Sequence, residues 1–340
     1  MLYKFEVDFK DPNNPQLKDD YIGWEELPVL QTLLIGNQKR PYGLDHIHST
    51  RYTIFLERPA IIDAFNQDSR RFGIQSWGFS EDQAYNWRYG VFNSQDIQNL
   101  GTVLTTPNEV RQAEIAGRFA NTIWYDEGTN GRGFAHWAIA GTVANTDPAG
   151  PPNSTAHFQT RPEARTDTRW LDTGVIAGAS NYELLGLEGV FNYGPLHIEG
   201  EYQNVWMQRT SADDLNFSGG YVYVAWFLTG ENMVWDRQTG QLGRVQPFTH
   251  FFRVRTTDET IDGGWGAWQV AARYSHANLS NLNIHGGISD ETTFSLVWYF
   301  NSHSKLFLNC IIGDIRDRRP VDGQTAGNFT ILGTRLAVDF

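Results

Sequence analysis

The chain has a single cysteine, Cys310, so no intrachain disulfide can form. No run approaches the roughly 18 apolar residues of a transmembrane helix. Charged residues make up only 19% of the sequence, and their balance of −12 excludes the basic surface expected of a nucleic-acid partner. The amino-terminal stretch MLYKFEVDFKD has no apolar segment of signal-peptide length. No G-x-S-x-G nucleophile motif occurs, and helical periodicity is nearly missing. These absences leave a membrane open, because barrel strands are short and polar on one face.

Aromatics are abundant instead. They reach 14% of a chain whose mean hydropathy is only −0.44, as suits strands that are apolar on one side. The closing GNFTILGTRLAVDF alternates strictly. Leu332, Thr334, Leu336, Val338 and Phe340 form an apolar face against Ile331, Gly333, Arg335, Ala337 and Asp339. YKFEVDF sets Tyr3, Phe5 and Val7 against Lys4, Glu6 and Asp8, and AEIAGRF sets Ile115 and Phe119 against Glu114 and Arg118. In YELLGLEGVFNYGPLHIEGEY, a hairpin turned at Gly194-Pro195, Leu187, Phe191 and Ile198 oppose Glu188, His197, Glu199 and Glu201. GAWQVAARYS places Trp268, Val270 and Tyr274 out, with Gln269 and Arg273 in. GYVYVAWF is apolar on both faces and has no orientation from sequence.

About fourteen strands are expected. Short turns near Pro28, Glu81, Pro195 and Ser302 alternate with long loops near 40–70, 94–110, 146–180 and 317–326. The segment 229–262 is long where a short turn is due. Trp24, Trp77, Trp124, Trp206, Trp226 and Tyr299 fall near strand ends, as an interfacial girdle requires. The fold class is therefore all-β, a transmembrane antiparallel up-and-down barrel. Cys310 falls on its apolar face. A soluble β-sandwich binding protein is the competing architecture, with the Leu332–Phe340 face buried in an interior.

By face alternation, the cations on the lumen wall are Lys4, Arg118, Arg273, Lys305 and Arg335. An anion leaving water needs such positive charge and hydrogen-bond donors along its path. His46 and His48 sit at i, i+2, but no nearby cysteine or carboxylate set completes a metal site, so neither metal nor cofactor is expected. Nothing points to an enzyme.

The stretches DDYIGWEELP, LLIGNQKRPYGL, HSTRYTIFLERPAIIDAF, FLTGENMVWDRQTGQLGRVQPF and FSLVWYFNSHSKLFLN resemble the phosphate-selective porin O and P family, in order across nearly the whole chain. The resemblance implies a trimeric outer-membrane barrel of about sixteen strands that passes small anions, phosphate among them, by diffusion. It also implies that the chain enters at the third strand, so that a signal peptide, two strands and a pore-facing Arg-Arg pair are missing from a single barrel domain over 1–340. Loops near 40–70 and 146–180 are expected to fold inward. Carried over residue by residue, the constriction cations are Arg58 and Arg51, with His46 in the place of a lysine. The loop arginines are Arg161, Arg165 and Arg169, interrupted by Glu163 and Asp167. A non-selective or sugar-passing porin of the same fold is the alternative, separated by whether the arginines converge on one ring.

Overall fold

The computed structural model describes residues 1–9, 15–66, 69–93, 113–146, 154–255 and 261–339. Fourteen antiparallel strands form one sheet in chain order. They are β1 (Leu2–Asp8), β2 (Gln16–Leu27), β3 (Gln31–Lys39), β4 (Arg70–Phe79), β5 (Tyr85–Asn93), β6 (Ala113–Tyr125) and β7 (Gly133–Asn145), followed by β8 (Ala179–Tyr193), β9 (Leu196–Arg209), β10 (Leu215–Phe227), β11 (Ala267–Asn281), β12 (Ile284–Asn301), β13 (Ser304–Arg318) and β14 (Gly327–Val338). Most exceed the roughly 9–11 residues that cross a bilayer as a tilted strand. β1 and β14 are the edges and do not pair with each other among the described residues.

Alternation along each strand fixes the two faces. On β14 the side chains of Leu332 (79% exposed) and Leu336 (62%) point away from the interior, while Arg335 and Ala337 turn inward. The same holds for Ile115 and Phe119 against Glu114 and Arg118 on β6, and for Val270 and Tyr274 against Gln269 and Arg273 on β11. An outward apolar face on so many strands is a lipid-facing band, which rules out the sandwich. Phe340 and the loop near 94–110 lie outside the described residues.

β10, which the sequence could not orient, turns Tyr221, Tyr223 and Phe227 inward and Val222, Val224 and Trp226 outward. The girdle reading needs one correction. Tyr299 faces the interior, 4% exposed, and its hydroxyl donates to Gln269 at 2.9 Å. Its neighbour Trp298 takes the outward place and stacks on Trp268 at 4.7 Å. On the same rim Trp124 stacks on Phe191 and Tyr193. One-residue register decides which of Trp298 and Tyr299 meets lipid.

The turn rim carries the links at 28–30, 80–84, 126–132, 194–195 and 302–303, together with the long segment 228–266. The other rim carries the long connections 40–69, 146–178 and 319–326, and also two short links at 210–214 and 282–283 that the loop pattern had not shown. Residues 44–58 touch Lys39 on β3, Glu201 on β9, Ser295 on β12, Asn309 on β13 and Arg335 on β14. Only a sheet curled around this segment brings those strands within its reach. The helix α2 (Ala60–Phe65) buries Ile61, Ile62 and Phe65 inside, where Phe65 packs on Phe158 and Phe158 on Phe217.

Ile139 lies midway along β7 with its side chain outward. Ile139→Arg should lower folding stability in phospholipid vesicles by about 2–4 kcal/mol, read by denaturant titration. An unchanged midpoint would remove this face from the bilayer.

Candidate functional site

The first inward segment is anchored at both ends of a single helical turn, α1 (Leu44–Ile47). Gly43 precedes it with φ +81°, and a Cβ there would stand 2.7 Å from Gln203 Nε2. The positive φ calls for glycine, and the Gln203 side chain would have to give way to a Cβ. The amides of Leu44 and Asp45 donate to the Glu201 carboxylate, each at 2.6 Å. At the other end Lys39 Nζ donates to the carbonyls of His46, Ile47 and His48 at 2.8, 3.2 and 2.7 Å. Arg58 donates from Nε to the Asp45 carbonyl at 2.8 Å, and from Nη2 to those of His46 and His48 at 3.3 and 3.1 Å.

Arg58 thus holds the backbone of its own loop. His46 is buried, and burial together with Lys39 and Arg58 holds its imidazole well below the usual range. It is uncharged at neutral pH, unlike the lysine whose place the resemblance gives it. Burial pushes the Asp45 carboxyl up to about 6, although Arg58 opposes the shift, and burial brings His48 down to about 4.

The second inward segment, 154–178, is tied to the first by its expected ladder arginines. Arg165 Nε meets Glu57 at 2.9 Å and Arg169 Nη1 meets Asp63 at 3.3 Å, while Arg161 Nε donates to the Thr166 carbonyl at 2.6 Å. Glu163 reaches the wall, where it pairs with Arg273 at 2.5 Å and accepts from Ser275 and Thr293. Arg118 is likewise occupied, by Glu188 at 2.8 Å and by the Gly240 carbonyl at 3.2 Å. Lys4, on the edge strand β1, pairs with Asp19 and with Glu6.

The third segment enters from the turn rim. Trp235 is stacked on Phe134 at 5.1 Å and donates its indole N–H to Thr122 at 3.1 Å. Further along, Leu242 N–H donates to His48 Nε2 at 3.2 Å, and Arg244 Nη1 donates to the Ser302 carbonyl and to Asp339, both at 2.6 Å. Residues 235–244 therefore sit inside the wall against the 44–58 segment.

A cavity of about 470 Å³ remains between residues 50–52, 243–245, the turn at 301–304 and the adjoining ends of β12, β13 and β14. Arg51, Arg244, Lys305, Arg335, His303 and Asp339 line it. Lys305 donates to the Thr53 carbonyl at 2.7 Å and Arg335 to that of Leu56 at 2.6 Å. Arg51 is exposed, and its guanidinium makes no hydrogen bond among the described residues. Three expected cations, Arg51, Lys305 and Arg335, are brought together here, whereas Lys4, Arg118 and Arg273 stand apart in ion pairs. Arg244 was not singled out from sequence, although it stands in the GQLGRVQPF stretch that carries the resemblance. Burial pushes the Asp339 carboxyl up, but the hydrogen bonds from Arg244 and His303 prevail and hold it below the usual carboxylate range.

A wall of outward apolar residues around an interior of charged loops defines an outer-membrane β-barrel. The chain belongs to the family described as phosphate-selective porin O and P, whose model matches residues 3–340. It is 26% identical to an uncharacterized protein of Caulobacter vibrioides over 347 residues, which covers 99% of this chain and 64% of that protein. The chain thus spans less than two thirds of the length of that relative. In fold it is similar to a loop L8 deletion mutant of OmpT, an outer membrane protein of Vibrio cholerae, with a TM-score of 0.53 and 11% identity over 98% of this chain and 84% of that one. In-vitro folded OmpT gives a TM-score of 0.50 with 12% identity over 98% and 83% of the two chains. These likenesses concern the fold alone and agree with a place in the bacterial outer membrane.

Because Arg58 grips three carbonyls of the α1 turn, Arg58→Met should loosen residues 44–58. We expect a higher single-channel conductance and faster proteolysis near Ser49–Thr53, with ion preference little changed. Lost anion preference at unchanged conductance would instead make Arg58 an anion ligand.

Proposed function

We propose that the protein is a porin whose water-filled channel lets small anions diffuse passively across the outer membrane, phosphate being the anion to test first. The observation that carries this reading is the cavity lined by Arg51, Arg244 and Arg335, with Lys305 beside them, where three guanidinium groups face a single partly neutralised carboxylate, Asp339. Guanidinium forks suit the paired oxygens of an oxyanion. In this reading the chain is one barrel domain over 1–340, with the 40–70 and 146–180 loops turned inward to narrow the channel. Assembly as a homotrimer is proposed on the family resemblance.

The passage we infer runs past Arg165 and Glu57 on the loop side, then Arg335, and then Arg51 and Lys305. Arg51 is the leading anion ligand because its donors are free of protein partners among the described residues. Arg58 acts behind it as a loop-holding group, His46 is a buried ring stacked on Tyr42, and Arg161 and Arg169 stiffen the outer loop. A general, weakly selective porin is the second reading. It is favoured by the ion pairs Arg118–Glu188, Arg273–Glu163, Arg165–Glu57 and Arg169–Asp63, which leave half of the expected arginines neutralised instead of gathered in one ring.

Zero-current potentials of the full-length protein in a planar bilayer, under a KCl gradient and then with added phosphate, separate the two. We expect anion preference and a phosphate block that Arg51→Ala weakens about tenfold, the loss of one charge-assisted hydrogen bond of about 1.5 kcal/mol. A potential near zero without block would leave the general porin standing.

Asp339 gives a second handle. Its carboxyl titrates below the ordinary value of about 3.9, so the rise in anion preference that comes from neutralising Asp339 should appear only below that value. Asp339→Asn should show the raised preference already at neutral pH. Equal preference in the variant and the parent at neutral pH would take Asp339 off the path.

A further inference from the structure

Asp45, His48 and Glu199 meet inside the wall, away from the cation-lined cavity. Asp45 and His48 flank the C-terminal half of the α1 turn, and Glu199 projects inward from β9. One ligand atom of each lies within 4.8 Å of the others. His48 is 2% exposed and Glu199 1%. Asp45 Oδ2 is buried without a hydrogen-bond partner.

The surroundings leave this pocket rich in carboxylate. Glu199 accepts from the hydroxyls of Tyr221 and Tyr223 at 2.9 and 3.0 Å, and its Oε2 stands 3.6 Å from His197 Nε2. None of these hydroxyls carries charge. Glu201 is the next carboxylate, sharing the Tyr221 hydroxyl at 2.6 Å and holding the amides of Leu44 and Asp45. Three acids, Glu199 and Glu201 buried and Asp45 partly so, are thus gathered around Tyr221. The nearest guanidinium is Arg58, whose Nε is 3.4 Å from Asp45 Oδ2 but is engaged with carbonyl oxygen. Lys39 is committed to three carbonyls, and Arg118 to Glu188. Buried carboxylates without full compensation cost several kcal/mol each, which favours the arrival of a cation.

We infer that Asp45, His48 and Glu199 bind a first-row divalent cation of the zinc type within the lumen. One imidazole and two carboxylates are borderline-to-hard donors that suit Zn²⁺, with bonds of about 2.0–2.2 Å. Drawing the three ligand atoms onto such an ion needs only side-chain closure of about 1 Å from the present spacing. The fourth position is open to water.

The site is also linked to the inserted 235–244 segment. His48 now accepts the Leu242 N–H at Nε2. Coordination through either ring nitrogen ends that bond, at Nε2 by taking its lone pair and at Nδ1 by moving the proton to Nε2. A bound ion would therefore release Leu242 while fastening the α1 turn to β9. Its effect on the channel would be to stiffen one inward segment and loosen the other.

The test uses tag-free full-length protein in detergent, stripped with EDTA and titrated with Zn²⁺ by calorimetry, with Co²⁺ absorption as a second readout on the unaltered protein. We expect one saturable equivalent per chain and Co²⁺ bands of nitrogen–oxygen ligation. Asp45→Asn and His48→Gln should each weaken binding at least about tenfold, the lower bound for disturbing a metal site. Heat-shifted gel mobility reports that each variant still folds. His285→Gln, at an exposed position paired with Asp317, should bind as the parent does. No saturable equivalent, or one that survives both Asp45→Asn and His48→Gln, would overturn the site. Should a variant fail to fold, the Co²⁺ spectrum of the parent decides, since featureless octahedral aquo bands exclude histidine ligation. No current is measured, so the outcome is independent of the anion reading.

Discussion

Folding loop backbone into the lumen creates a demand for hydrogen-bond donors, because carbonyl groups removed from bulk water must find partners. The interior cations meet that demand. Lys39 and Arg58 share the carbonyls of residues 45–48, Lys305 takes that of Thr53 and Arg335 that of Leu56. Arg273 reaches the Glu57 carbonyl, Arg118 that of Gly240, and Arg244 that of Ser302. Lysine and arginine have several donors and no acceptor, so a single side chain can close two or three carbonyls at once. An interior built this way is rich in positive residues for structural reasons before any solute enters.

That double use alters what a lumen arginine means. A guanidinium engaged with carbonyls keeps its charge and still contributes to the field along the channel, but it has fewer donors left for a passing anion. Arg58 is the clearest case. Arg118 and Arg273 differ again, since each faces a buried carboxylate, and removing one partner of such a pair costs about 3–5 kcal/mol. Loss of function in those variants would report a damaged wall as readily as a lost ligand. Among the described residues Arg51 is free of both obligations, and for that reason its substitution is the more informative one.

Much of the wall was legible in the sequence because strand alternation is a local property. Leu332 and Leu336 against Arg335, and Val270 against Arg273, could be assigned to faces from spacing alone. Where both faces were apolar, as at Tyr221 to Phe227, alternation carried no sign, and only the Tyr221 and Tyr223 hydroxyl bonds to Glu199 reveal the inward side. Tyr299 was misassigned because Trp298 beside it is equally aromatic and a shift of one residue exchanges them. The interior was far less legible. Asp45 meets Glu201 across 156 positions and Leu242 meets His48 across 194, separations at which single-sequence patterns are silent. The resemblance pointed to the loops near 40–70 and 146–180 and offered Arg58 to a solute, whereas in the structure its donors engage the carbonyls of Asp45, His46 and His48.

The net charge of −12 is a poor guide to the channel for the same reason. Glu57, Asp63, Glu163 and Glu188 are each matched to an arginine, so their charges cancel at close range. Interactions between exposed charges fade over about 8–10 Å in physiological salt, so acids elsewhere on the surface scarcely reach the cavity. In the proposed reading, what an entering ion meets is the local sum: Arg51, Arg244 and Arg335, with Lys305 beside them, against Asp339. Selectivity in such a barrel is therefore set by which few residues escape pairing, and an acidic protein can present a cationic path.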